Sequence, residues 1–204
     1  MSERRFGILI SGRGSNMVAL VEAALRGDIA ARPAVVVSNR AKAPGLKLAA
    51  GRGVETVVIR HQDFDSREAF DREVLAALNE RGVELVCLAG FMRLLSPVFV
   101  RAYPNRIINI HPSLLPAFPG LDVQQKALDH GVKVSGCTVH FVDEDLDAGP
   151  IIVQRTVPVL EGDDEGALAA RILEQEHLAY TEAVRLYFED RLTVEGRAVR
   201  IRQE

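Results

Sequence analysis

Cysteine is scarce in this 204-residue chain, and long hydrophobic runs are absent from it. The two cysteines, Cys87 and Cys137, lie in apolar stretches and are predicted to be buried, reduced thiols, as in a reducing compartment. Two cysteines without further partners argue against a structural zinc site. The longest uncharged apolar run, residues 85–92, is far too short to cross a membrane, and the apolar run 6–10 is shorter than the core of a secretion signal. We therefore expect a cytoplasmic protein.

An excess of positive charge is also missing. The 25 Lys and Arg residues and 28 Asp and Glu residues give a formal net charge of -3, so no overall field attracts nucleic acid or an anionic membrane. Hydrophobic residues make up 48% and charged residues 26%, which excludes a disordered chain, a collagen-like chain and a coiled coil. The sequence has no internal repeat and no flexible linker. It therefore predicts one α/β domain over residues 1–204.

The first half of the chain, residues 1 to about 100, alternates strands with helices. Almost wholly apolar runs predict buried strands, at 6–11, 33–38, 54–59 and 84–90. Helical spacing and end signals predict helices between them, at 17–27, at 44–51 and after a cap at Asp65. This order is typical of a Rossmann-like, open, mostly parallel sheet with helices on both faces.

The second half, from about residue 101, has a different pattern. A short strand at 107–110 enters a proline-rich loop at 111–120, and a helix is predicted at 122–131. Two β-rich segments, 134–142 and 150–159, flank an acidic turn and predict an antiparallel hairpin. A long amphipathic helix follows at 164–190, and a short strand at 192–194.

A glycine-rich turn links the first strand to the first helix. Such a turn presents backbone N–H groups to an anion, and the helix dipole adds partial positive charge. A dinucleotide fingerprint is excluded because Met17 replaces its third glycine, and a Walker loop is excluded because its Gly-Lys-Ser/Thr is missing. From these residues alone, an anion site and a tight connection capped by Ser15 or Asn16 are equally good interpretations. The turn reads Gly12-Arg13-Gly14-Ser15-Asn16.

A second polar cluster follows the strand at 107–110. Asn109 and His111 are two residues apart, so they leave the strand on the same side, at the carboxyl end where open α/β sheets bind ligands. The acidic turn 143–149 is either a solvated turn, a metal loop without calcium-hand spacing, or a segment that aims Asp147 at His111. A carboxylate in that place favours the protonated imidazole. Thr138 and His140 share one strand face and are candidates to support the site.

Four stretches of the sequence, 10–16, 88–97, 109–116 and 145–150, together resemble the phosphoribosylglycinamide formyltransferase family, in that family's order and spacing. The resemblance covers almost the whole chain and implies the formyltransferase fold. It implies transfer of a formyl group from 10-formyltetrahydrofolate to the amine of glycinamide ribonucleotide (GAR) in purine biosynthesis. No metal is implied, and the expected partners are these two small molecules, in a monomer or homodimer.

The resemblance also implies roles for individual residues. The glycine-rich turn would hold the 5′-phosphate of GAR, which decides between the two interpretations above, and Glu176 would contact the ribose. The folate would be bound by an apolar stretch and by the acidic turn. These residues are Phe91, Met92, Arg93, Leu94, Leu95, Val100, Asp143, Glu144 and Asp145.

The implied chemistry agrees with the residue types. An amine that attacks a formamide carbon generates a tetrahedral oxyanion, and preorganised donors facing that oxygen are the largest available source of catalysis. Asn109 and protonated His111 are the expected donors. Asp147 would keep His111 charged and help to remove the proton of the amine.

The chain departs from the family at two places. Leu173 stands where some relatives have a polar or basic residue that reaches the phosphate, and we hypothesise that Arg13 supplies the missing charge. Residues 122–124 replace histidines found in other members, so no role is carried over to them.

Three alternative functions fit the sequence less well. A formyltetrahydrofolate hydrolase would use the same site with water as acceptor, but it usually carries an N-terminal regulatory domain, and only five residues precede the first strand here. A methionyl-tRNA formyltransferase is disfavoured by charge and length. A folate- or nucleotide-binding module without catalysis is disfavoured because Asn109, His111 and Asp147 occur together.

Overall fold

The computed structural model describes residues 3–203. The chain divides into two compact units, one that ends at Ile108 and one that begins at Asn109. Strand β5, Ile107–His111, starts in the first unit and ends in the second.

The first unit contains four parallel strands in the order β3-β2-β1-β4. Ile8 in the middle of β1 pairs with Val36 on one side and Cys87 on the other. Strands β1 and β4 are almost completely buried, as expected for apolar runs that are covered on both faces. The strands are β1 Arg5–Ile10, β2 Arg32–Ser38, β3 Thr56–Val58 and β4 Leu85–Leu88.

Four α-helices lie between and after these strands. Their ends follow local sequence signals: Pro44 occupies the first turn of α2, and Gly27 ends α1 in the left-handed conformation. The predicted cap at Asp65 is wrong, because Ser66 caps α3 and accepts a hydrogen bond from the Ala69 N–H. The helices are α1 Ser15–Arg26, α2 Pro44–Ala50, α3 Arg67–Asn79 and α4 Pro97–Ala102, with a 3₁₀ turn at His61–Asp63.

The second unit is built on an antiparallel hairpin and a long helix. Strands β6, Val134–Phe141, and β7, Ile151–Pro158, pair in the register Thr138↔Gln154. Helix α6, Glu165–Phe188, is capped by Asp164 and packs against both strands through a buried apolar stripe. A short helix and a second hairpin complete the unit: α5 Val123–Asp129, β8 Leu192–Glu195 and β9 Ala198–Ile201. Strand β9 pairs parallel to β7 at one position, so this half mixes strand directions.

The predicted α/β class, with a parallel first half and antiparallel strands in the second, is confirmed. Helix α4, strand β9 and the 3₁₀ turn were not predicted, because each is too short to show a period. Cys87 and Cys137 are both buried, and burial raises the pKa of Cys137 to about 12, with the nearby Glu176 carboxylate adding to the effect. Within residues 3–203, the helices are all too short or too polar to cross a membrane.

Candidate active site

Strand β5 carries Asn109 and His111 to its carboxyl end. The two side chains are on the same side of the strand, because alternate residues share a face. Asn109 is half-buried and His111 is buried. Each side chain has its own contacts: Asn109 bonds to His140, and His111 contacts Phe118 and Asp147.

His140 orients the amide of Asn109. The Nδ1–H of His140 donates to the carbonyl oxygen of Phe141 at 2.8 Å, which leaves Nε2 to accept from Asn109 Nδ2 at 3.2 Å. Burial lowers the pKa of His140, and the positive charge of His111 contributes in the same direction. A neutral His140 therefore uses one Nδ2 hydrogen of Asn109 and leaves the second available to a ligand.

His111 has an acceptor on each side of its ring. Nε2–H donates to the Phe118 carbonyl oxygen at 2.9 Å, and Nδ1 lies 3.6 Å from Asp147 Oδ2. A carbonyl oxygen only accepts, so Nε2 carries a hydrogen, and a proton on Nδ1 would face a carboxylate. The two ring nitrogens of His111 thus face two different acceptors, a backbone carbonyl oxygen and a carboxylate.

The acidic turn delivers Asp147 to this histidine. Asp147 adopts a left-handed conformation, with φ 50°, and its Oδ2 accepts a hydrogen bond from the Gly120 N–H at 2.9 Å. Gly149 lets the turn return closely to β6, since a Cβ there would lie 1.9 Å from the Phe141 carbonyl oxygen. The Asp147 side chain is only 10% exposed as a result.

Thr138 holds the loop that follows His111. Its hydroxyl donates to the Ser113 carbonyl at 2.7 Å and accepts from the Leu115 N–H at 3.0 Å. Gln154, across the hairpin, donates to the same hydroxyl and to the Leu115 carbonyl. The loop is thus bonded to β6 through the buried Thr138 side chain and to β7 through the Gln154 side chain.

The glycine-rich turn lies at the start of α1. Gly14 is the cap residue, with φ 78°, and no side chain caps the helix. Ser15 and Asn16 are helical, so the interpretation in which one of them is the cap is wrong. The cap residue Gly14 therefore offers no side-chain acceptor to the start of α1, a feature of anion-binding turns. Arg13 is exposed beside them.

The apolar stretch assigned to folate follows β4. Met92 and Leu94 are 59% and 58% exposed, whereas Arg93 and Leu95 are half-buried. Phe91 stacks on Phe70 of α3, with ring centroids 6.4 Å apart. Val100 lies half-buried in α4.

Two buried side chains that the sequence did not single out hold the backbone of this stretch. Ser11 accepts from the Met92 N–H at 2.8 Å and donates to Asn39 Oδ1 at 2.6 Å. Asp71 accepts from the Ser96 N–H at 2.6 Å, and burial raises the pKa of Asp71.

The remaining predicted residues lie in the second unit. Asp143 is half-buried and accepts from the Asp145 N–H at 3.1 Å, whereas Glu144 and Asp145 are exposed. Glu176 is buried in α6, one turn after the half-buried Leu173. Among residues 3–203 there is no group of three or more His, Cys, Asp or Glu side chains that could hold a metal ion.

The sequence and the α/β fold are matched by a family of known proteins. The model of the formyl transferase family matches residues 4–184, and the chain belongs to that family. Phosphoribosylglycinamide formyltransferase of Escherichia coli K12 is 44% identical over 94% of this chain and 90% of its own. The chain is therefore grouped, within the family, with the phosphoribosylglycinamide formyltransferases.

Longer proteins and solved structures also match this chain. The trifunctional purine biosynthetic protein adenosine-3 of Drosophila pseudoobscura is 52% identical over 90% of this chain, which spans only 14% of that protein. Glycinamide ribonucleotide transformylase 1 from Symbiobacterium toebii is 54% identical, with a TM-score of 0.96 over 98% of this chain and 94% of its own. A formyltetrahydrofolate deformylase from Pseudomonas syringae is 27% identical, with a TM-score of 0.91 over 98% of this chain and 66% of its own.

Proposed function

We propose that this chain transfers the formyl group of 10-formyltetrahydrofolate to the primary amine of GAR, giving formyl-GAR and tetrahydrofolate. The observation that carries the proposal is the cluster at the end of β5, where Asn109, His111 and Asp147 are held by buried contacts. The names of the E. coli and S. toebii relatives support the same reaction.

The amine of GAR is the nucleophile, so no covalent enzyme intermediate is formed. Its nitrogen bonds to the formyl carbon, and negative charge develops on the formyl oxygen. The second Nδ2 hydrogen of Asn109 and a proton of His111 stabilise that oxygen. The Nε2–H that His111 directs to the Phe118 carbonyl is the one we assign to this task, with the formyl oxygen replacing the carbonyl as acceptor.

Asp147 compensates the charge of His111, and a hydrogen bond from the Gly120 N–H holds the Asp147 carboxylate in place. When the intermediate collapses, the bond from the formyl carbon to N10 of the folate breaks. The proton lost by the amine moves, through water held by Asp147, to that nitrogen. Each step balances without a metal or a redox partner.

Substrate binding is assigned to residues outside the cluster. The amides at the start of α1 and the side chain of Arg13 bind the phosphate of GAR, and Glu176 contacts its ribose. The exposed apolar side chains Met92 and Leu94 bind the folate, with Arg93 beside them, and the acidic turn binds the pteridine ring.

Hydrolysis of 10-formyltetrahydrofolate is the second candidate function. The fold of the P. syringae deformylase favours it, since the same cluster could activate water instead of binding an amine. Its identity to this chain, 27%, is lower than the 54% of the S. toebii transformylase.

Tetrahydrofolate production by the purified chain, with and without GAR, separates the two functions. We expect production only with GAR, and formyl-GAR in equal amount. The Asp147→Asn variant, prepared identically, controls for contaminating activity. Equal production without GAR would assign the chain as a hydrolase, and no production in either case would refute both.

A further inference from the structure

Gly45, the second residue of α2, contacts the glycine-rich turn directly. Its N–H donates a hydrogen bond to the Gly12 carbonyl oxygen at 3.1 Å. We propose that Gly45 is a positioning residue that fixes the peptide between Gly12 and Arg13, so that the Arg13 N–H is presented to a phosphate group. This inference rests on the proposed function of the turn as the phosphate site of GAR.

The direction of the peptide follows from its planarity. In a trans peptide the carbonyl of one residue and the N–H of the next point in opposite directions. Between residues 3 and 203 the cis bond is Leu115–Pro116, so the peptide after Gly12 is trans. Because α2 holds the Gly12 carbonyl, the Arg13 N–H points away from α2. The reversed peptide would direct a carbonyl oxygen at the anion, which repels it.

Position 45 requires glycine because a side chain has no space there. Backbone torsions are not the reason, since a residue within α2 has ordinary helical torsions. A Cβ on Gly45 would lie 2.6 Å from Ile10 Cδ1, 3.1 Å from the Gly12 carbonyl oxygen and 3.2 Å from Gly14 Cα. Conversely, a Cβ on Gly14 would lie 3.0 Å from Gly45 Cα. The two glycines are thus in backbone contact, and α2 supports the turn from behind. A side chain at position 45 would push the turn towards its ligand and lengthen the hydrogen bond.

Core packing is the competing explanation, because the shortest of these distances is to the δ-methyl of Ile10. The Ile10→Val variant separates the two, since valine lacks that methyl. In the double variant Ile10→Val/Gly45→Ala the contact with that methyl is removed, and the contacts of the added Cβ with Gly12 and Gly14 remain. Ile10→Val alone is the matched control, because it retains the Gly45–Gly12 hydrogen bond.

The test measures binding of inorganic phosphate by calorimetry, together with KM for GAR, KM for 10-formyltetrahydrofolate, kcat and Tm. For Gly45→Ala we expect phosphate affinity and apparent GAR affinity to fall together by about tenfold, the loss for one weakened charge-assisted hydrogen bond. We expect kcat and the KM for folate to stay within about twofold. The double variant should regain Tm but not phosphate affinity, and Ile10→Val should bind phosphate normally.

Two results from the variants would overturn the assignment of Gly45. One is recovery of phosphate affinity in the double variant, which would make Gly45 a packing residue. The other is unchanged phosphate affinity in Gly45→Ala. Failure of the proposed function is distinguishable from failure of this inference. The first appears as a wild type without GAR-dependent turnover, and in that case calorimetry with phosphate still tests the role of Gly45. A wild type that binds no phosphate would refute the inference itself.

Discussion

Replacement of Thr138 by valine removes a hydroxyl and preserves the shape of a completely buried side chain. The Leu115 N–H and the Ser113 carbonyl then lose their partner, whereas Gln154 is exposed and can bond to water. Each stranded backbone group costs about 1–3 kcal/mol, so the free energy of unfolding should fall by about 2–6 kcal/mol. That is a large fraction of the 5–15 kcal/mol that stabilises a typical protein, and it corresponds to a fall in Tm of roughly 5–20 °C.

Equilibrium unfolding in urea, followed by circular dichroism, measures this change. Thr138→Ser is the matched control, because it keeps the hydroxyl and loses one methyl group, at a cost of about 1 kcal/mol. The kcat of Thr138→Val should also fall, since the loop after His111 is no longer fixed to β6. Equal destabilisation of the serine and valine variants would refute the reasoning, and so would a valine variant as stable as the wild type.

Three further substitutions test the roles of charged side chains. Asp147→Asn keeps an acceptor for the Gly120 N–H but loses the charge facing His111, so kcat should fall by about 10²-fold or more with the KM values little changed; near-normal turnover would remove Asp147 from the mechanism. Arg13→Ala should weaken GAR binding without affecting folate binding, and unchanged GAR affinity would refute its role. Arg171 lowers the pKa of Asp163 from 3.8 to about 2. Asp163 therefore stabilises the fold above pH 4. The difference in free energy of unfolding between wild type and Asp163→Asn, measured at a series of pH values, should shrink as pH falls from 4 to 2. A constant difference would contradict this.

Local patterns were enough to predict the features that depend on neighbouring residues. Alternation along β5 predicted that Asn109 and His111 share a side, and the structure has them so. Glycines between an apolar run and a helical period predicted the turn before α1. In both cases the determining interactions are within a few residues of chain, where period and torsion preferences act.

Contacts made by backbone atoms could not be predicted in this way. The Phe118 carbonyl accepts from His111, and the Gly120 N–H donates to Asp147, but every residue has these groups, so no residue type marks the position. In the sequence, Gly45 resembles any glycine near the start of a helix, and its contact with the glycine-rich turn appears only in the structure. Asp71 is charged and would be expected on the surface, yet it is buried and bonds to a loop 25 residues away.

The two histidines of the cluster show how surroundings assign different tasks to one residue type. His140 is buried, donates to a backbone carbonyl and lies near the positive charge of His111, so its lowered pKa keeps it neutral and able to accept from Asn109. His111 has a carboxylate 3.6 Å from its other nitrogen. Protonation of His140 would lose the Asn109 contact, because Nε2 would then carry a hydrogen and could no longer accept from Asn109. A neutral His140 therefore keeps Asn109 oriented as a donor beside His111, and these are the two donors that we propose for the oxyanion.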